Sequence, residues 1–193
     1  MKSNSINTLI RFTFIAICLA LFVNFPLLSS NNSKLEEARL LYYSAIDEED
    51  NIEKAIKIFE EIISKDRSLK GLSITYIGSL TAMKAAHTFW PNNKLDYVNE
   101  GLEIMEEGVA LSPNNIEALF IQGTTLYNLP FFFGTSDDAE SNFKKIINLL
   151  NDKSITEYDH EILSKTIDFI LENAELTDQE KKKARKFRQK LPK

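Results

Sequence analysis

Val98–Asn115 reads VNEGLEIMEEGVALSPNN, and this stretch decides the fold. Gly101, Met105 and Gly108 recur at three to four residues, the spacing of one helix face. Two of the three are glycines, which weaken a helix unless a neighbour comes very close. The stretch leaves through Ser112-Pro113-Asn114-Asn115, a set of helix-stopping and turn residues. A small–large–small face that ends on proline is the face of one helix in a closely packed pair.

The same face occurs twice more. Aligning Asn51–Lys65, Val98–Ser112 and Ser136–Leu150 puts small residues at Ala55, Gly101 and Ala139. Large apolar residues follow four later, at Phe59, Met105 and Phe143. Three further on stand Ile62, Gly108 and Ile146. Two helices approach closely only where a small residue meets a large one. No single pair buries both its faces, so such pairs stack. From Leu35 onward nearly every segment keeps the helical period, and no segment reads as a strand. The expected antiparallel pairs are 35–46/51–64, 69–88/94–111 and 114–129/136–150. Two C-terminal helices follow, one with an apolar stripe of Tyr158, Ile162, Leu163, Ile167, Ile170 and Leu171. Start signals stand at Ser33-x-x-Glu36, Asp50-x-x-Glu53, Asn114-x-x-Glu117, Ser154-x-x-Glu157 and Thr177-x-x-Glu180.

The small–large–small helix followed by Ser112-Pro113-Asn114, with Gln122-Gly123 at the small position of a first helix, resembles the tetratricopeptide repeat, whose second helix runs small, aromatic, small. The resemblance covers about residues 35–150. It implies an all-α, TPR-like solenoid of stacked antiparallel hairpins, with repeats at about 35–67, 69–113 and 114–151 and capping helices over 155–192. The spacings of 46 and 38 between copies exceed the family's period of about 34 residues, so two turns carry insertions. Arg67 and Asn151 stand where the family has proline, and Tyr43 where its first helix has a small residue.

Residues 1–33 read as a separate segment. Lys2 and Arg11 precede the uncharged run Phe12–Val23, and Asn24, Pro26 and the polar stretch Ser29–Ser33 follow. A basic start, a short apolar run and a polar exit make a signal peptide or an uncleaved signal anchor, with 12–28 as the possible membrane tether. The expected location is outside the cytoplasm, in the periplasm or cell envelope. The single cysteine, Cys18, falls in this leader, so no disulfide framework is available.

Charge is unevenly spread along the 193 residues. Lys181–Lys193 holds eight Lys or Arg and no acid. The body, 34–180, keeps thirteen basic residues against all 28 acidic ones, a net charge of −15. Such a body repels phosphate backbones and anionic lipid, so no nucleic-acid partner is expected. The basic tail reads as a solvated last helix whose cations complement its C-terminal end. It is also the stretch able to touch either kind of anion.

Catalytic patterns are missing from the reading. The six glycines are isolated, so no phosphate loop forms, and there is no Gly-x-Ser-x-Gly. His160-Glu161 begins like a zinc-protease motif, but Ser164 takes the place of the second histidine. The expectation is a protein that is not an enzyme and holds no metal or cofactor. Two aromatic insertions are the candidate binding features: Ala86-His87-Thr88-Phe89-Trp90-Pro91-Asn92-Asn93, and Leu129-Pro130-Phe131-Phe132-Phe133-Gly134. Each joins the first helix of a pair to its second, so a stacked array puts both on one edge, beside the acidic turn Asp47–Asp50. His87, Phe89, Trp90, Phe131, Phe132 and Phe133 are thus the expected contacts to a protein partner, in an adaptor or assembly factor. The competing reading is a ligand-binding accessory of a solute transporter. It rests on the likeness of Pro130–Ala139 to a Pro-aromatic-Gly loop in exported tetratricopeptide proteins of that kind.

Overall fold

The computed structural model describes residues 33–192, and every regular element among them is a helix. In chain order these are α1 (Ser33–Ser44), α2 (Asp50–Lys65), α3 (Lys70–His87), α4 (Pro91–Leu111) and α5 (Ile116–Asn128). Then come α6 (Ser136–Leu149), the single turn α7 (Ser154–Glu157), α8 (His160–Asn173) and α9 (Asp178–Arg188). Short 3₁₀ turns lie at Arg67–Leu69 and Phe131–Phe133. The leader expected over 1–33, its tether and Cys18 fall outside the described residues, except that Ser33 begins α1. No helix among the described residues is long and apolar enough to cross a membrane.

The expected helix pairs match α1/α2, α3/α4 and α5/α6, and their caps show how each helix begins. Thr177 and Glu180 form a reciprocal capping box at the start of α9, as the sequence signal predicts. Other start signals differ. Asn115 caps α5 by accepting from the Ala118 amide at 2.9 Å, not Asn114. Asp159 caps α8 through the Glu161 and Ile162 amides. The Ser154-x-x-Glu157 signal produces only the turn α7. The insertion between α3 and α4 is shorter than the expected 86–93, because α4 begins at Pro91. Proline there occupies the first helical turn, where its missing N–H removes no hydrogen bond and its fixed φ suits the helix.

The α3/α4 pair is the tightest seam. A Cβ placed on Gly101 would lie 2.5 Å from the Gly78 carbonyl oxygen and 2.6 Å from the Ala82 nitrogen. One placed on Gly78 would meet the Met105 nitrogen at 2.5 Å, and one on Gly108 the Thr75 nitrogen at the same distance. Low numbers on one helix face high numbers on the other, so the pair is antiparallel and the two backbones touch. All nine aligned positions are buried: Ala55, Phe59 and Ile62 in α2, the α4 triplet, and Ala139, Phe143 and Ile146 in α6. In the third pair the small residue is Gly123, and the Phe143 ring lies over it.

The first helices of the pairs run parallel. Tyr42 of α1 bonds Ser79 of α3, and Ala45, just past α1, meets His87 at the end of α3. Tyr76 of α3 bonds Glu117 of α5, and Ser79 bonds Thr125. In both cases residue numbers rise together along the two helices. The turns that follow α1, α3 and α5 therefore emerge at the same end.

Buried apolar residues form two clusters. The first joins α1, α2 and α3 to Ala118 and Ile121 of α5. The second joins Leu119 and Leu126 of α5 to α6, α8 and α9, with Leu163, Ile167, Ile170 and Phe187 at its centre. Helix α5 is shared: its neighbouring residues 118 and 119 enter different cores.

Candidate functional site

The turn between α3 and α4 is Thr88-Phe89-Trp90. Trp90 is held extended (φ −80°, ψ 124°), as expected for the residue before a proline. Phe89 is 87% exposed and Trp90 66%. Their rings meet edge to face at 6.0 Å. The turn between α5 and α6 begins at Leu129, also extended, before Pro130. Phe131–Phe133 then wind into one 3₁₀ turn, closed by Phe133 N–H to Pro130 O at 3.0 Å and Gly134 N–H to Phe131 O at 3.1 Å. Gly134 ends the turn at φ +67°, a left-handed geometry that glycine adopts without steric cost. The Thr135 hydroxyl ties the exit back to the Leu126 carbonyl at 2.9 Å. Phe131 is 90% exposed and Phe132 65%, while Phe133 is half-buried.

Both turns stand at the same end, with the exposed acids Asp47–Asp50 of the first turn there too. Each turn keeps its own ring contacts. Phe131–Phe132 lie 6.0 Å apart and Phe132–Phe133 4.9 Å. No ring pair among the described residues joins one turn to the other, so the edge carries two separate aromatic tips. His87 does not join them. It is half-buried, and its Nε2 lies 3.1 Å from the Ala45 carbonyl oxygen. A carbonyl only accepts, so Nε2 carries the proton in this contact. His160 is exposed at the start of α8, beside the Ile155 carbonyl.

A second feature went unread in the sequence. Arg39 of α1 and Glu117 of α5, 78 residues apart, form a buried ion pair. Arg39 donates from Nε and Nη2 to the two Glu117 oxygens at 2.7 and 2.5 Å. The Tyr76 hydroxyl of α3 donates to the same carboxylate at 2.6 Å. Arg39 also bonds Glu36, its neighbour one turn earlier. Burial works against the Arg39 charge, and Glu117 outweighs it, so the guanidinium is held above its ordinary pKa. Burial, followed by the Glu117 charge, pushes the Tyr76 phenol well up. One turn further on, Tyr42, Ser79 and Thr125 form a hydroxyl chain across the same three helices at 2.9 and 2.8 Å. Glu117 accepts from three donors on two other helices. The network orders helices.

In sequence, Glu117 looks like a capping acid three residues after Asn114. Glu117 stands in the first turn of α5, buried toward α1 and α3, and no local signal pairs it with Arg39. Set against protein-family models, curated proteins and solved structures, the chain matches none of them.

Proposed function

We propose that residues 34–192 are a tetratricopeptide-like stack of three helical hairpins, closed at the C-terminal end by α8 and α9. We assign it a non-enzymatic role in binding a protein partner, as an adaptor or assembly factor. The basic–apolar–polar order of residues 1–33 supports reading this module as exported to the periplasm or cell envelope. Three features support the repeat reading: the buried small–large faces of α2, α4 and α6, the parallel course of α1, α3 and α5, and the glycine seam of α3/α4.

The observation that carries the binding role is the exposure of Phe89, Trp90, Phe131 and Phe132 in two hydrogen-bonded, proline-flanked turns at one end. Loops are ordinarily polar, and exposed aromatic residues on stiff turns lose little entropy when a partner covers them. The ligand-binding accessory needs the same rings as walls of a deep pocket. Phe89 and Phe131, 87% and 90% exposed, and Trp90 and Phe132, 66% and 65% exposed, favour an open docking edge instead.

Trp90→Ala with Phe132→Ala tests this reading. Cross-linking in intact envelopes, leader retained, should recover a protein partner with the parent chain. The double variant should lose it, with affinity weakened by ~2 kcal/mol or more. Its melting temperature should stay that of the parent, because neither ring supports the core. Equal recovery by both chains, or an unfolded double variant, would move the binding surface away from these turns.

A further inference from the structure

We infer that the outer face of α9 is a docking surface for an anionic lipid bilayer. Ala184 and Phe187 of α9, with Leu191 just beyond it, face inward onto α6 and α8. On the sides turned away from that core, Lys182, Lys183, Arg185, Lys186 and Lys190 are exposed and cationic, while Gln189 is uncharged and Arg188 is half-buried and paired with Asp168. Lys190 is engaged by Asp152 and Lys183 by the Asn148 carbonyl. Lys182, Arg185 and Lys186 have no ion-pair partner among the described residues. A last helix needs one or two cations near its C-terminal end. Here they begin in its first half, which the helix dipole does not explain.

Charge complementarity and the rest of the chain select the occupant. The body, 34–180, carries −15 and is repelled by an anionic surface. Approach is favourable only with α9 leading, which sets one orientation. The cations are mostly lysines on long, solvated stems, which suit a diffuse layer of headgroups better than a fixed bidentate site. The chain also carries the apolar run Phe12–Val23 behind Lys2 and Arg11. Peripheral membrane attachment generally takes two weak signals, and a basic patch is the usual second one. This inference uses a different surface from the aromatic turns and stands or falls apart from them.

The test is vesicle co-sedimentation of the full chain. One set of vesicles is phosphatidylcholine, and the other phosphatidylcholine and phosphatidylglycerol in equal parts. The leader contributes to both, so the difference between them reads electrostatics. The parent should prefer the anionic vesicles, and added salt should erase the preference. Lys182→Gln, Arg185→Gln and Lys186→Gln together should cut that preference by about 100-fold, roughly fivefold per cation. Arg185→Lys should keep it. Lys2→Gln with Arg11→Gln, outside α9, should leave the preference in place; its loss in that variant would put the contact on the leader and overturn the inference, so the matter is decided even if the triple variant fails to fold. A parent with no anionic preference, or a folded triple variant that keeps it, would overturn the inference. Tighter binding to a DNA duplex than to the anionic vesicles would overturn it in favour of nucleic acid.

Discussion

Glu117 has more at stake than any other side chain described. It accepts from Arg39 twice and from Tyr76 once, with both ion-pair partners more than nine-tenths buried. A desolvated pair contributes little net stability when whole, but costs a great deal when one charge is removed. Glu117→Gln keeps the shape and leaves the Arg39 charge with Glu36 alone. The expected loss is about 3 kcal/mol, read as a lower urea midpoint with an unchanged slope. Arg39→Met combined with Glu117→Leu should recover most of it, since neither charge is then left buried. A loss below about 1 kcal/mol for Glu117→Gln would show that water reaches the pair.

Among the elements, the α3/α4 hairpin tolerates the least change. Its backbones touch where Gly78 faces Met105 and Gly101 faces Ala82, and the nearest atoms are main chain, which cannot swing aside. Gly101→Leu must push the helices apart. Overpacking of this kind costs ~1–3 kcal/mol. In a domain of this size that lowers the melting temperature by about 2–4 °C per kcal/mol. Gly134→Ala is the useful control: nothing lies within 4 Å, so its cost is the left-handed φ alone. An unchanged melting temperature for Gly101→Leu would mean that the two helices meet through other faces.

Across the described residues, α5 contributes buried side chains to both cores, and Val109 of α4 packs against each of them as well. Ala118 and Ile121 belong to the N-terminal cluster, Leu119 and Leu126 to the C-terminal one. The Arg39–Glu117 pair and the Tyr42–Ser79–Thr125 chain bind the same helix to α1 and α3. Opening either core therefore exposes one side of α5. Leu119→Ala, a large-to-small change costing about 2–5 kcal/mol, should lower hydrogen-exchange protection in α2 and in α8 alike. Loss of protection confined to α8 and α9 would show two separately folding halves.

Local patterns in the sequence determined the helices, their pairing and the positions where they touch. Periodicity and turn residues act over a few residues, and the small–large faces at Ala55/Phe59, Gly101/Met105 and Ala139/Phe143 are buried as read. The proline-flanked aromatic turns were legible for the same reason, down to the extended backbone before Pro91 and Pro130. Tertiary structure decided that Asn115 rather than Asn114 caps α5 and that Glu117 is buried. It paired Arg39 with Glu117 across 78 residues. It turned His87 toward Ala45 and left Phe133 half-buried beside two exposed neighbours. In each case the outcome depends on what a distant helix places opposite the residue. Burial and charge pairing are settled by proximity in space, to which local spacing along the chain is blind.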